Sequence, residues 1–107
     1  MAQSIKLGNN VYLDASGVDG NKGTITSGDD LNNYWGPRKA GLWVVNTTSS
    51  NVSNCPLSYS GLIVIAIGQS GAQQILFNHT GICFRDRTGS PASWSHWFKV
   101  TGIDTGS

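Results

Sequence analysis

The chain has 107 residues, a formal net charge of +1, six aspartates and no glutamate. This length fits one small domain or a fragment of a longer chain, and the near-neutral charge gives no electrostatic reason to expect nucleic acid or an acidic membrane as a partner. Because no apolar stretch approaches the ~20 residues of a membrane span, we expect no membrane insertion.

The first 26 residues favour an extended, shaft-like segment. Residues 4–7 and Val11–Asp14 flank a Gly-Asn-Asn turn, which predicts a small hairpin or two short extended pieces. Residues 23–26 favour another short strand. Large apolar residues are few here, so this part of the chain would not form a core alone, and we expect a domain boundary near residue 26.

Residues 27–34 hold the one pattern that favours a helical turn. Ser27 is a suitable N-cap, and Asp29 and Asp30 would lie near the positive end of such a turn. We therefore expect a single minor helical turn before the first strand of the main domain.

The turn-rich segment that follows supplies candidates for ligand binding. Loops on a rigid scaffold commonly carry recognition, and we expect the aromatic and basic side chains of this segment to be exposed. The alternative is that they simply pack against the core. The four candidates are Tyr34, Trp35, Arg38 and Lys39.

The apolar run at residues 62–67 is β-branched at four of its six positions and is bracketed by Gly61 and Gly68. These features favour a strand over a helix. The pattern predicts an all-β fold, a small antiparallel β-meander with this run at its centre. Turns rich in Gly, Ser and Asn separate the run from further predicted strands at residues 72–77, 82–87 and 96–100.

Because the run is apolar on both faces, something must cover each side of the sheet there. A neighbouring subunit is one source of cover, since oligomerisation stabilises many chains of this size. A monomer whose tryptophans fold over the run is the alternative. We expect the meander to form a knob over residues 27–101, followed by a flexible tail over residues 102–107.

Acid–base catalysis has little support. A glycosidase usually needs two carboxyl groups flanking a cleft, one of them with a raised pKa. Asp29 and Asp30 are adjacent and point in different directions, while Asp86 lies between Arg85 and Arg87, which would favour its ionised form. We expect no enzymatic activity and no cofactor.

The cysteines and histidines do not form a recognisable site either. His79 and Cys83 are four residues apart across a turn, and no second closely spaced pair completes a zinc pattern. We expect no metal site. Cys55 and Cys83 lie on separate elements, so two reduced structural thiols fit better than one disulfide.

The densest aromatic cluster lies near the C-terminus. Trp94, Trp97 and Phe98 either form a stacking platform for sugar rings or fill a small core, and the second reading suits so short a chain better. Strand spacing would place Trp94 and Phe98 on one face and Trp97 on the other.

Alternation also places Arg85 and Arg87 on the strand face opposite Ile82 and Phe84. This arrangement predicts that the two arginines lie on a solvated face.

A series of short motifs runs through residues 29–100: Asp30-Leu31-Asn32, Gly41-x-Trp43, Asn54-x-Pro56, the run 61–67, Gln73 followed by Arg85, and Trp94-x-x-Trp97. Their order resembles the knob domain of tail fibres found in contractile R-type pyocins and in many phages and prophages. Residues 5–14 also resemble fibre-shaft sequence.

The resemblance implies a knob near the tip of a homotrimeric fibre, made in the bacterial host cytoplasm and carried on the virion. Its partner would be a host-cell surface polysaccharide or lipopolysaccharide, bound without catalysis. Two other functions stay open: a non-catalytic carbohydrate-binding or trimerisation appendage of a capsule-degrading tailspike enzyme, and a spacer that binds nothing. The signature positions, which would hold the knob together rather than touch the receptor, are Gln73, Arg85, Trp94 and Trp97.

Overall fold

The computed structural model describes residues 4–8, 11–14, 17–18, 21–102 and 105–106, and within these ranges the regular structure is all β apart from two 3-10 turns. None of these residues forms a helix long and apolar enough to cross a membrane. The N-terminal strands β1 (Ser4–Gly8), β2 (Val11–Asp14) and β3 (Gly17–Val18) form a small antiparallel sheet. The predicted hairpin is thus the antiparallel pair β1–β2.

A second sheet holds the remaining seven strands in the order β10-β8-β7-β6-β5-β4, with β9 paired to β8. The predicted meander is confirmed, because β6, β7 and β8 pair antiparallel in sequence and β6 lies inside the sheet. The strands are β4 (Asn21–Ile25), β5 (Gly41–Val45), β6 (Ser60–Ile67), β7 (Gly71–Asn78), β8 (Gly81–Gly89), β9 (Ala92–Trp94) and β10 (Phe98–Thr101).

Strand β4 belongs to this main sheet and not to a separate shaft. It pairs parallel with β5, and its Ile25 is fully buried beside Val45 in the core. The predicted boundary near residue 26 falls directly after β4, which is an edge strand of the main sheet. Short-range patterns missed the pairing because a parallel neighbour is reached only through a long connection.

The predicted helical turn exists in a shorter form, as a 3-10 turn at Leu31–Asn33. Its cap is Asp30, whose carboxylate accepts a hydrogen bond from the backbone N–H of Asn32 at 2.8 Å, and not Ser27. The same carboxylate oxygen accepts from the side chain of Asn54, also at 2.8 Å. The cap therefore also joins the two loops that lie over the sheet.

The predicted strand at residues 96–100 is interrupted. Strand β9 ends at Trp94, residues 95–97 leave the ladder, and β10 begins only at Phe98. The break coincides with Ser95, whose N–H donates to the backbone oxygen of Asp86 and whose hydroxyl accepts from the Asp86 N–H. Strict alternation fails across it, so the expected opposite placement of Trp94 and Trp97 is wrong.

One face of the main sheet, here called the covered face, lies beneath the loops between β4 and β6. Leu62, Val64 and Leu76 point from the central strands into this layer and are buried. The loops return Leu31, Tyr34, Val52 and Leu57 to the same core cluster, with Trp43, Cys55 and Trp97 packed at its margin.

The opposite face, here called the open face, has no such layer among the described residues. The pairing register places its apolar side chains in cross-strand rows. Eight of them are 39–58% exposed. These open-face residues are Val44, Ile65, Ile67, Phe77, Ile82, Phe84, Phe98 and Val100.

Candidate functional site

A surface cleft of about 620 Å³ lies where the loop after the first 3-10 turn meets the β6–β7 turn. Three of the four predicted ligand residues line it: Trp35, Arg38 and Lys39. None of its seven lining residues carries a carboxylate. The other four are Asn33, Gly36, Pro37 and Gln69.

A tight turn shapes the floor of this cleft. The backbone N–H of Lys39 donates to the oxygen of Gly36 at 3.1 Å, with Pro37 at the second position, where its fixed φ suits a β-turn. Gly36 has φ = +82° and is buried, which favours glycine. The turn therefore projects Arg38 outward, and its side chain is exposed.

Lys39 is held against two aromatic rings. Its ammonium lies 4.6 Å from the Tyr34 ring centroid and 5.1 Å from that of Trp43, and the two rings meet edge-to-face at 4.8 Å. The Trp43 indole N–H donates to the backbone oxygen of Lys39 at 2.9 Å. These contacts fix the lysine end of the turn on the sheet.

Tyr34 does not share the exposure of its neighbours. It is only 7% exposed and belongs to the core cluster, so the expectation of a solvent-facing ring is wrong. The reason is that Tyr34 directly follows the 3-10 turn and points inward, with Leu31, toward the sheet. Burial, with a smaller effect of Asp29, raises the pKa of the Tyr34 phenol.

Trp35 presents a half-buried ring to the cleft, and Arg87 stacks on it. The guanidinium carbon of Arg87 lies 3.8 Å from the Trp35 ring centroid, and the guanidinium also donates to the backbone oxygen of Ser70. Arg87 thus joins the Trp35 loop to the β6–β7 turn. The cation–π attraction stabilises the indole in this orientation.

A buried polar network beneath the cleft ties its loop to the sheet. The Gln74 amide donates to the backbone oxygens of Leu31 at 2.8 Å and Tyr34 at 2.9 Å. Its carbonyl oxygen accepts from Arg85 Nε at 2.8 Å, and Arg85 Nη1 donates to Asn32 Oδ1 at 2.8 Å. The residue that directly precedes Trp35 is therefore fastened to β7 through a satisfied, buried amide.

The buried glutamine is Gln74 and not the predicted signature residue Gln73. Side chains alternate along a strand, so Gln74 shares the covered face with Ala72 and Leu76, while Gln73 points to the open face and is exposed. The contacts that support the fold therefore belong to Gln74, the residue directly after the predicted Gln73.

Arg85 occupies the middle of an aromatic sandwich. Its guanidinium carbon lies 4.0 Å from the Trp94 centroid and 4.5 Å from the Trp97 centroid, and the residue is only 4% exposed. The two indole N–H groups donate to backbone oxygens of the covering loops, Trp94 to Asn32 at 3.2 Å and Trp97 to Asn54 at 3.0 Å. These contacts pack Arg85, Trp94 and Trp97 against one another and against the covering loops; that none of the three touches a receptor stays a prediction.

The expected solvated arginine face is therefore wrong for Arg85. Arg85 and Arg87 do share a face opposite Ile82 and Phe84, but it is the covered face. Burial lowers the pKa of Arg85 to about 10, while nearby Asp30 acts in the opposite direction. The arginine is tolerated there because two hydrogen bonds and two aromatic faces replace much of its hydration.

The cysteines are free thiols. Cys83 is buried on the covered face, where burial raises the pKa of its thiol. Burial also raises the pKa of Cys55, whose thiol donates to the backbone oxygen of Leu57 at 3.1 Å. Within the described ranges, no group of three or more His, Cys, Asp or Glu side chains is arranged to hold a metal ion.

A second cleft of about 420 Å³ lies at the other end of β7, beside the β7–β8 turn. His79, Lys99 and Tyr59 line it, and Tyr59 is 62% exposed with φ = +43°. Sequence patterns did not single out Tyr59. A bulky residue with positive φ is worth examining as a functional residue, but its backbone angle cannot be read from composition.

Comparison of the chain with family models, with curated proteins and with solved structures finds no match.

Proposed function

We propose that this chain is the knob module of a phage, prophage or tailocin tail fibre, and that it attaches the fibre to a glycan on the host-cell surface without altering it. The observation that carries the proposal is the cleft at Trp35, Arg38 and Lys39, which joins an aromatic ring to cationic groups on a loop fastened to the sheet.

The chemistry of this cleft suits a saccharide. The apolar face of a sugar ring packs on an indole face, and Trp35 offers such a face in a restrained orientation. The side-chain amides of Asn33 and Gln69 supply donors and acceptors for hydroxyl groups. Arg38 adds an exposed cation, which favours the carboxylate or phosphate groups that many surface polysaccharides and lipopolysaccharides carry.

The proposed assignment to a tail fibre is supported by a second argument, the resemblance of the ordered sequence motifs to the knob domain of tail fibres. In the proposal the fibre is a homotrimer on the virion, so that three clefts act together, and multivalent attachment strengthens a weak single-site interaction. Arg85, Trp94 and Trp97 act as internal supports, and Tyr34 supports the cleft loop from behind.

The test is host-cell binding by the purified chain and two variants, Trp35→Ala and Arg38→Ala. Each variant should bind about tenfold more weakly or worse, as loss of an aromatic or arginine anchor commonly does. The thermal midpoint of Arg38→Ala should stay unchanged, because that side chain is exposed.

Two control variants locate the site. Lys22→Ala removes an exposed cation from β4 and should leave binding unchanged, which separates a specific contact from general charge. Tyr59→Ala removes the aromatic ring of the second cleft and should also leave binding unchanged. Normal binding by both cleft variants, or loss of binding only with Tyr59→Ala, would reject the proposed site.

A turnover assay addresses the absence of catalysis in the proposal. Host polysaccharide incubated with the chain should keep its size distribution. Shortening of the polysaccharide by the wild-type chain, but not by a variant in which one aspartate is changed to asparagine, would contradict binding without alteration.

A further inference from the structure

The open face of the main sheet is built like the inner layer of a sandwich, although no second layer of described residues lies on it. Ile63, Ile75, Phe84 and Phe98 form one cross-strand row over four strands, and Phe77, Ile82 and Val100 form the next. Phe84 and Phe98 stack with their ring centroids 5.6 Å apart. Rows of β-branched and aromatic side chains are typical of sheets that are covered on both faces.

The Phe77 side chain lies close to the sheet on this face. Gly61 lies in the row of Phe77, and a Cβ atom at Gly61 would come within 2.5 Å of the Phe77 ring. The ring therefore lies down over the glycine and does not stand upright. An apolar sheet face can pack against another sheet at about 10 Å, the normal spacing of stacked sheets.

The exposed area is large enough for a stable interface. Taking roughly 200 Å² for an aromatic side chain and somewhat less for an aliphatic one, the eight open-face residues at 39–58% exposure present on the order of 600 Å². Typical protein interfaces bury about 800 Å² on each partner. The half-buried Leu42, Ile63 and Ile75 of the same rows bring the surface close to that value.

Charge distribution favours a partner with the same kind of surface. Along β5 to β8 and β10, the pairing register puts a single charged residue on this face, Asp86, which lies with Gln73 at one margin. Interface centres are depleted of charge and enriched in aromatic residues. A patch with one charge at its margin gives a strongly charged partner little to recognise, whereas a symmetric contact sets its apolar rows against the same rows of a second copy.

We propose that the open face is the contact surface between copies of this chain. In a trimer the three open faces turn toward the common axis, and in a dimer two faces stack. The inference gives the proposed homotrimer its interface, but self-association through this face does not require that the chain bind a glycan.

Light scattering on the purified chain, after size-exclusion chromatography at micromolar concentration, tests the proposal. The mass should correspond to more than one chain. The double variant Ile82→Thr/Val100→Thr keeps β-branched residues in both strands and should weaken association by about tenfold or more. Unchanged near-UV circular dichroism would show that the variant is folded. As a matched control, Tyr59→Asn removes an exposed ring outside the open face and should leave the mass unchanged.

A folded wild-type monomer at micromolar concentration would overturn the inference, and so would an oligomer that the Ile82/Val100 variant leaves intact. The first result would assign the open face to another occupant, such as a further segment of a longer chain. A mass of two chains supports the interface but contradicts threefold assembly. The cleft variants Trp35→Ala and Arg38→Ala should keep the oligomeric mass, so failure of glycan binding and failure of self-association are separate results.

Discussion

The covered face and the open face of one sheet differ in what they carry. The covered face buries Arg85 and Gln74, two strongly polar side chains, with their hydrogen bonds largely supplied by the loops above. The open face leaves Phe84 and Phe98 exposed to solvent in the single chain. Among the described residues, most buried polar atoms of the covered face have partners within the fold, and Arg85 Nη2 is the exception. The apolar side chains of the open face stay exposed in the single chain.

The difference shows what each face contributes. On the covered face, hydrogen bonds with fixed directions hold the loop that carries Trp35 and Arg38 in one conformation. On the open face, apolar contact has no directional requirement, and its contribution to the free energy depends mainly on the apolar area that is buried. One sheet thus carries a cleft held by directional contacts and, on its other side, a broad exposed apolar surface.

The largest expected effect comes from breaking the covered-face network at one residue. Gln74→Leu leaves the backbone oxygens of Leu31 and Tyr34 without their donor and Arg85 Nε without its acceptor. Leaving buried polar groups unpaired, one of them charged, should lower the free energy of unfolding by about 3 kcal/mol or more. Urea denaturation followed by tryptophan fluorescence measures this change.

The neighbouring glutamine is the matched control. Gln73→Leu makes the same substitution on the open face, where the side chain is exposed, and should change stability by less than about 0.5 kcal/mol. Equal losses from the two substitutions would contradict the assignment of Gln74 as the buried support.

The sequence predicts the positions of the strands better than it predicts which face of the sheet the loops cover. The run 62–67 and its neighbours are correctly identified as a meander, because alternation, β-branching and glycine-rich turns are local signals. Which face would be covered is not local information. It depends on the loops between β4 and β6, and polar loops give no periodic signal that predicts where they pack.

The candidate site shows the same limit. Trp35, Arg38 and Lys39 were identified as a group because they follow one another in a turn-rich segment, and they line one cleft. Arg87 and Gln69 are joined to them only by the pairing of distant strands, so sequence spacing gave no sign of them. The motif resemblance points to Gln73, but a shift of one residue along a strand moves a side chain to the other face, and the buried glutamine is Gln74.

A smaller effect concerns the titratable groups of the covered layer. Burial raises the pKa values of Cys83 and Tyr34 above their ordinary 9.0 and 10.0. As the pH rises past about 9, the unfolded chain loses these protons before the folded chain does, so stability should fall with increasing alkalinity. Unfolding free energies measured from pH 7 to pH 9.5 should decline. The range ends below the pKa of Arg85, about 10, because a base whose pKa is lowered on folding has the opposite effect on stability.

The variant Cys83→Val tests the thiol contribution, since it keeps the side-chain volume close to that of cysteine and removes the proton. Its stability should fall less steeply above pH 9 than that of the wild type. An identical pH dependence in both proteins would show that Cys83 does not contribute.

The central claim is that the cleft at Trp35 binds the glycan while the Trp94–Arg85–Trp97 sandwich supports the fold. The indole N–H signals of the four tryptophans, observed by NMR during titration with host-cell surface polysaccharide, test it most directly. Trp43, Trp94 and Trp97 donate to backbone oxygens inside the protein, and their signals should stay in place. The Trp35 signal should shift as polysaccharide is added, and the shift should be lost in Arg38→Ala. A shift of the Trp94 and Trp97 signals with Trp35 unmoved would make the C-terminal aromatic cluster the sugar platform and contradict the account.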